Sequence, residues 1–411
     1  MKRLSPLFVC LVFGFHFVSA VAQDIAVKAD RIYTVSGAPI EDGVVIIRDG
    51  KIHRIGPASS LRIPAGVDVV EAAVVTPGLI DAHSVVGLAG YLNQAQDQDQ
   101  LETSEAIQPE LRAIDAYNAR ETLIAWLRSF GITTIHTGHA PGEIVSGQTL
   151  IAKTTGNTVA DAVIQPAAML AVTLGESARQ LAEGRKSPGT RAKTVSMLRS
   201  QLVQARDYVG KQQAAAADKD KDVPARDLRL EALAAVLSGK MPLLVTAHRH
   251  NDIVNALRLA AEFKIDVVLD GAAESYLVMD EIKAAGVPVI LHPPMMRAWG
   301  ERENASFTTA RKLLDAGIPV TLQSGYESYV PKTRVILFEA AMLLQHGLSF
   351  DEALSLITLD AARILGLEER MGSLEKGKDG NLALYDGDPF EYTTRATGTI
   401  IDGKLVSAIK R

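Results

Sequence analysis

The strongest constraint on the fold is an alternation of strand-like and helix-like segments through the central part of the chain. Apolar runs of strand length recur at 74–80, 131–136, 164–173, 243–248, 266–270, 287–292 and 319–323. Amphipathic helical stretches lie between several of them, at 251–263, 275–285, 304–315 and 333–346. This alternation predicts an α/β fold with parallel strands, and the number of repeats favours a (β/α)8 barrel. A doubly wound sheet is the alternative, although the chain lacks a glycine-rich phosphate-binding turn.

Both ends of the chain carry a different pattern, in which two short β-rich runs flank an Asp-Gly turn. Residues 43–52 and 398–406 both follow it, and 381–385 forms one more short strand. Because such strands occur near both termini, we expect them to share one small β-sandwich domain. The predicted organisation is this sandwich, made of 23–74 and 366–411, around a barrel at 75–365.

One segment departs from the alternation of the barrel. Residues 176–240 are polar, charged and mostly helical in pattern, and 214–221 are of low complexity. We expect a solvated helical insertion with a flexible tip. A lid or a partner-binding arm is the alternative, because long insertions on barrels often cover the functional site.

The first residues have the pattern of a secretory signal peptide. Lys2 and Arg3 precede an apolar stretch at 7–18, and small residues of the Ala-x-Ala type follow at 19–22. We therefore expect 1–22 to be a leader and the mature protein to be periplasmic. An N-terminal membrane anchor is the alternative, but it needs roughly 17–25 apolar residues.

The expected leader changes the charge and cysteine arguments. The whole chain has a formal net charge of −5, and loss of Lys2 and Arg3 makes it two units more negative. A weakly acidic protein is a poor partner for nucleic acid or an anionic membrane. The single cysteine, Cys10, lies in the leader. The mature chain therefore has neither a disulfide nor a cysteine nucleophile, and no thiolate metal site.

The most specific motif spans residues 75–87, Val-Thr-Pro-Gly-Leu-Ile-Asp-Ala-His-Ser-Val-Val-Gly. A buried strand ends here in His83, which would stand at the carboxyl rim of the barrel, where active sites are built. The segment resembles the amidohydrolase superfamily, in particular its imidazolonepropionase-like metal-dependent hydrolases. In that superfamily the first barrel strand usually ends in Pro-Gly-Leu-Ile-Asp-Ala-His-x-His, whose two histidines bind a divalent metal.

The resemblance extends over essentially the whole mature chain. The segments 357–362, 372–382, 386–390 and 401–403 are similar to the family's last helix and its return into the β-domain. The resemblance implies hydrolysis of non-peptide or cyclic C–N bonds by a metal-activated water, with one zinc ion as the expected cofactor and a small molecule as the substrate. A homo-oligomer is compatible with it.

The expected metal ligands are largely missing. Val85 stands where the second histidine of the first strand belongs, and Thr246 occupies the ligand position of the fifth strand. Gly271 replaces the histidine of the sixth strand, and the eighth strand has Ser324-Gly325 in place of an aspartate. His83 alone is retained. One imidazole cannot hold a divalent ion firmly, since catalytic zinc keeps about three protein ligands. The inherited site is therefore predicted to be empty or rebuilt, and no bound metal at all is one outcome.

A rebuilt site would draw on polar residues near the ends of the apolar runs. The candidate metal ligands are His83, His136 and His139; the candidate catalytic residues are His248 and His292; the candidate substrate-binding residues are Lys153 and Arg249. His250, Glu274 and Glu327 are further rim candidates. For each residue the alternative is an ordinary hydrogen-bonded or exposed side chain.

Three functional hypotheses remain open at this point. The first is a metal-dependent amidohydrolase. The second is a non-catalytic periplasmic protein that binds a ligand or a partner on the same scaffold. The third is metal-free hydrolysis with a histidine and a glutamate as acid and base.

Overall fold

The computed structural model describes residues 24–92, 94–179, 188–326 and 334–411. The predicted signal peptide at 1–22 and the candidate Glu327 lie outside the described residues. Within them, no helix is both long enough and apolar enough to span a bilayer.

The secondary structure is mixed α and β. The strands are β1 (Ile25–Ile32), β2 (Ile40–Arg48), β3 (Lys51–Pro57), β4 (Asp68–Pro77), β5 (Leu79–Ser84), β6 (Ile132–Thr137), β7 (Val145–Gln148), β8 (Leu150–Lys153), β9 (Val163–Gln165), β10 (Leu170–Thr173), β11 (Leu243–Ala247), β12 (Val267–Gly271), β13 (Val289–Leu291), β14 (Val320–Leu322), β15 (Leu382–Tyr385), β16 (Ala396–Ile401) and β17 (Lys404–Ser407). The α-helices are α1 (Thr122–Arg128), α2 (Val159–Ala162), α3 (Arg191–Ala217), α4 (Leu228–Leu237), α5 (His250–Phe263), α6 (Met279–Ala285), α7 (Thr309–Asp315), α8 (Ile336–Leu344), α9 (Phe350–Leu356) and α10 (Leu359–Ile364).

The two ends of the chain meet in one seven-stranded sheet of order β17-β16-β15-β4-β1-β2-β3. Strand β15 pairs antiparallel with β4, with Leu384 opposite Val75. The inward-facing residues of this sheet, Val27, Ile47 and Leu382 among them, form their own apolar core. Strands near both termini therefore belong to one sheet among the described residues, where the sequence pattern predicted a β-sandwich.

The central strands form two further sheets. One has the order β14-β13-β12-β11-β10-β7, and the other has the order β5-β6-β8-β9. Strands β10 to β14 run parallel, and so do β5 and β6. The sheets adjoin where β8 follows β7, and again after β14, where the Gly325 N–H donates to the His83 carbonyl at 3.1 Å. This arrangement is barrel-like and brings the carboxyl ends of β5 and β11–β14 to one rim.

The apolar run expected as one strand at 164–173 is two strands. Strand β9 ends at Gln165 and β10 begins at Leu170. Pro166 follows β9 directly, and because proline has no N–H it cannot continue a ladder. Strand β9 pairs antiparallel with β8, whereas β10 pairs parallel with β11.

The polar segment around 176–240 contains the two helices α3 and α4. The Thr190 hydroxyl caps α3 by accepting the Lys193 N–H. Leu198 and Leu202 are fully buried one turn apart, so one face of α3 packs against the body of the protein. The low-complexity stretch is helical up to Ala217, where α3 ends.

Candidate active site

A cavity of about 370 Å³ opens at the carboxyl rim of the central strands. Its floor is made by side chains that stand on or directly after β11, β12, β13 and β14, namely Thr246, His248, Asp270, His292 and Gln323. Its walls include Leu101, Glu176, Ser177, Met296, Trp299, Glu301, Arg302 and Tyr326. The position agrees with the rule that sites on parallel α/β folds lie beyond the carboxyl ends of the strands.

Asp270 is the centre of a buried hydrogen-bond cluster on this floor. Its Oδ1 accepts from His83 Nδ1 and from Gln323 Nε2, both at 2.8 Å, and its Oδ2 accepts from Thr246 Oγ1 at 2.6 Å. These donors come from three strands or their ends, β5, β11 and β14. The Asp270 carboxylate therefore ties the rim together through groups of the protein itself.

His83 and Asp270 each stabilise the charged form of the other. Burial of His83 favours its neutral form, but the negative charge and hydrogen bond of Asp270 outweigh burial and raise the pKa of His83. Burial likewise opposes ionisation of Asp270, and the His83 charge together with the His83 and Thr246 hydrogen bonds lowers the pKa of Asp270 below its usual range. Both shifts favour an ion pair in the folded protein.

His292 presents a lone pair to the cavity floor. Its Nδ1 lies 2.9 Å from the Pro293 carbonyl, which can only accept, so this nitrogen carries the proton. Burial first, and then the charges of His248 and Arg302, lower the pKa of His292 to about 4. The ring is therefore neutral at pH 7, and its buried Nε2, which has no hydrogen-bond partner, is an acceptor.

His248 is the second neutral imidazole on the floor. Burial and the nearby Arg302 charge lower the pKa of His248 to about 4. Its Nδ1 is buried without a hydrogen-bond partner. A neutral ring carries one N–H, so His248 can donate one hydrogen bond to a bound molecule.

Gly271 allows the His248 ring to lie where it does. Gly271 has a φ of 75°, and a Cβ there would lie 2.5 Å from His248 Cε1. Only glycine adopts this conformation at little cost, and any side chain would displace the imidazole. The absence of a side chain at Gly271 therefore makes room for the His248 ring.

Asp81 lies beside this cluster and is fully buried. Its Oδ1 accepts the N–H groups of Ser324 at 2.9 Å and His83 at 3.3 Å, while its Oδ2 has no hydrogen-bond partner. Burial raises the pKa of Asp81 to about 6, although the hydrogen bonds from Ser324 oppose the rise.

The other predicted ligands lie away from the cavity. His136 is hydrogen-bonded at both nitrogens, to the Ala82 carbonyl at 2.6 Å and to Thr149 Oγ1 at 2.7 Å, so neither is open to a metal. His139 is buried beside Gly147 and is not part of the cavity lining, and burial lowers the pKa of His139 to about 4.

Neither predicted substrate-binding residue lines the cavity. Lys153 is buried at the junction with the terminal sheet, where it contacts Asp379 at 3.3 Å and Asp402 at 2.5 Å. Arg249 pairs with Glu274 at 3.2 Å and with Glu303 at 2.5 Å. Lys153 is the last residue of β8, which runs antiparallel to β6, and this direction turns its end away from the rim.

The structure adds residues that sequence reasoning missed. Of these residues, Asp270 could have been found from the sequence, because a carboxylate at the end of an otherwise apolar strand is unusual in a buried position. Gln323 is a weaker case of the same pattern, since it is a polar residue directly after the apolar strand β14. Trp299 and Arg302 come from the loop between β13 and α7, whose path no sequence pattern predicts.

The family follows from comparison with known proteins. A family model described as the amidohydrolase family matches residues 88–407, well over half of the chain. The chain therefore belongs to the amidohydrolase family, a group of hydrolases. A crystal structure of an amidohydrolase from Thermotoga maritima is 26% identical, with a TM-score of 0.88, and the match covers 94% of this chain and 100% of that one. This similarity gives the chain a TIM-barrel-like α/β fold.

Two curated relatives cover the chain to a similar extent. An imidazolonepropionase of Solibacter usitatus is 25% identical over 382 residues, which are 86% of this chain and 86% of that protein. The amidohydrolase tasK of Hapsidospora irregularis is 24% identical over 402 residues, or 88% of this chain. This chain spans only 39% of the length of the tasK protein.

Members of this family usually depend on a metal, and an adenosine deaminase from Xanthomonas campestris with bound zinc shares the fold at a TM-score of 0.55 and 13% identity. The residues described here do not fit such an ion. Among them, no group of three or more His, Asp or Glu side chains is placed to hold a metal. The Asp270 carboxylate is already engaged by His83, Thr246 and Gln323.

Proposed function

We propose that this protein is an exported amidohydrolase that hydrolyses a C–N bond of a small molecule in the rim cavity without the family's metal. The observation that carries this proposal is His292, a buried neutral imidazole whose unpartnered Nε2 is fixed as a proton acceptor at the cavity floor. Export rests on the leader pattern of residues 1–22. The C–N bond rests on the family and on relatives such as imidazolonepropionase.

The reaction follows from the two neutral imidazoles. His292 Nε2 accepts a proton from a water molecule, whose oxygen adds to the carbon of the C–N bond. The N–H of His248 donates to the oxygen that becomes negative. The proton on His292 then passes to the leaving nitrogen, the C–N bond breaks, and an amine and a carboxylic acid form. General-base catalysis of this kind contributes about 10²–10⁴-fold.

The pH dependence separates this mechanism from a metal-dependent one. With His292 as the base, turnover rises as the pH rises through about 4 and then levels, because the neutral ring is the active form. A zinc-bound water instead ionises near pH 7, so its activity would rise through neutral pH.

The test uses the full chain, treated with a chelator and assayed for bound metal, against linear amides, lactams and cyclic ureides. We expect turnover without metal, a single ionisation near pH 4, and loss of turnover in His292→Ala. Turnover that appears only with added zinc, or whose rate rises through pH 7, would contradict the proposal.

A non-catalytic binding protein is the second candidate, and a specific observation favours it. An imidazole with a pKa of about 4 is a weak base, which limits the gain from general-base catalysis. If calorimetry detects binding of these compounds in the cavity while turnover stays at the level of His292→Ala, the binding function stands and the hydrolytic one does not.

A further inference from the structure

An arginine, Arg302, stands on the wall of the cavity. Arg302 lines the cavity, and no ion pair involves its guanidinium in the part of the chain that the structure describes. Its Cζ lies 5.2 Å from the ring centroid of Trp299. An arginine usually pairs with a nearby carboxylate. An arginine beside a cavity without such an ion pair therefore indicates a binding position for an anionic ligand.

Two buried acidic groups of the same cavity, Glu301 and Asp270, accept hydrogen bonds from the protein itself. Glu301 is mostly buried, and its oxygens accept the Glu176 N–H at 2.7 Å and the Ser177 hydroxyl at 2.6 Å. Asp270 is balanced by His83. Glu176 is exposed, where water screens its charge. Arg302 is therefore the one permanently cationic side chain among the described residues that line the cavity, and the carboxylate of Glu301 is oriented towards Glu176 and Ser177.

The guanidinium also acts on the cavity floor. The charge of Arg302 contributes, after burial, to lowering the pKa of both His248 and His292. Since this effect falls with distance, Arg302 lies close to the two rings. A ligand that reaches Arg302 can therefore also contact the imidazoles.

Trp299 gives the same wall an apolar surface. Its side chain is 61% exposed although it adjoins the cavity. A large exposed aromatic ring beside a stacked guanidinium offers a flat surface for a planar group.

We propose that Arg302 and Trp299 form a specificity subsite that binds the carboxylate and the planar part of a small ligand. The subsite rests on the proposed function only in using the same cavity, and it applies equally to a hydrolase and to a binding protein. Arg302 supplies the charge that selects an anion, and Trp299 supplies the apolar contact.

The test compares three probes of the same shape and different charge: benzoate, benzamide and benzamidine. Calorimetry or ligand-observed NMR on the full chain at low salt should show benzoate binding at least about 10-fold more tightly than benzamide. Arg302→Met should remove this preference, whereas Trp299→Ala should weaken benzoate and benzamide alike. Arg54→Met, an exposed arginine on β3, is the matched control for net charge and should change nothing.

Two results would overturn the subsite. Equal binding of benzoate and benzamide would remove the role of Arg302, and tightest binding of benzamidine would mean that Glu176 and Glu301 dominate the cavity. Folding of each variant is checked by its melting temperature. Charge-selective binding without turnover leaves the subsite standing and rejects the hydrolase. Turnover of amides together with equal binding of benzoate and benzamide rejects the subsite and leaves the hydrolase standing.

Discussion

Two polar clusters of this protein differ in how many of their buried polar atoms lack a hydrogen-bond partner. At the junction of the central strands with the terminal sheet, the Asp379 carboxylate contacts Lys51, Lys153 and Arg370, and Lys153 also contacts Asp402. This set, the junction cluster, brings each charge to a partner of opposite sign. At the rim cavity, His248 and His292 keep ring nitrogens without partners. Buried polar groups are normally satisfied, so the difference separates a cluster that stabilises the fold from one that awaits a ligand.

The largest expected effect distinguishes the two clusters by activity. His292→Ala should lower kcat per folded molecule by about 10²–10⁴-fold, and the melting temperature should fall because the buried ring and its hydrogen bond to the Pro293 carbonyl are lost. His53→Ala, on β3 of the terminal sheet, should leave kcat unchanged. Equal turnover in both variants would place the chemistry outside the cavity.

The second prediction concerns Asp270, whose two carboxylate oxygens both accept hydrogen bonds. Asp270→Ala leaves His83, Thr246 and Gln323 without their acceptor, and breaking a buried pair in this way costs about 3–5 kcal/mol of unfolding free energy. Asp270→Asn keeps one acceptor oxygen and should cost less. Denaturant unfolding measures both. A loss below 1 kcal/mol in the alanine variant would mean that the carboxylate does not hold the rim together.

The third prediction uses pH. The pKa of Asp81 is about 6 in the folded protein, above its ordinary value of 3.8, so the folded state binds this proton more tightly. The resulting stabilisation is complete below pH 4 and is lost as the pH rises through 6. Asp81→Asn should remove this loss and raise stability at pH 7 by up to about 3 kcal/mol. The difference between the two unfolding curves across pH 4–7 isolates the effect, and a flat difference would contradict it.

The smallest effect is expected in the junction cluster. Lys153→Met should cost about 1–2 kcal/mol, since Asp379 keeps Lys51 and Arg370 and Asp402 reaches solvent. Turnover per folded molecule should stay unchanged. A loss of turnover without a loss of stability would mean that Lys153 takes part in the reaction, in spite of its distance from the cavity.

Sequence reasoning predicted the family and the α/β class because both depend on local patterns. The alternation of the central segments and the Asp-Gly turns near both termini depend on neighbours in the chain. His248 and His292 could be nominated because each directly follows an apolar strand. Lys153 was misplaced for the same reason, since an apolar run does not reveal the direction of its strand.

The remaining parts of the site depend on contacts between distant residues. The bond between His83 and Asp270 joins residues 187 positions apart, and Arg302 reaches the cavity from a loop. Neither contact leaves a periodic pattern. The state of His292 likewise depends on one carbonyl, that of Pro293, whose direction only the folded backbone determines.

Gly271 also limits the order in which this site can change by mutation. A histidine introduced there must adopt a φ near 75° and would overlap the His248 ring. A side chain at position 271 is therefore damaging unless His248 changes first, and a change at His248 removes part of the present cavity floor. A stepwise mutational route to a histidine at this position thus passes through a protein whose cavity floor is incomplete. The backbone at one glycine makes the present chemistry hard to reverse.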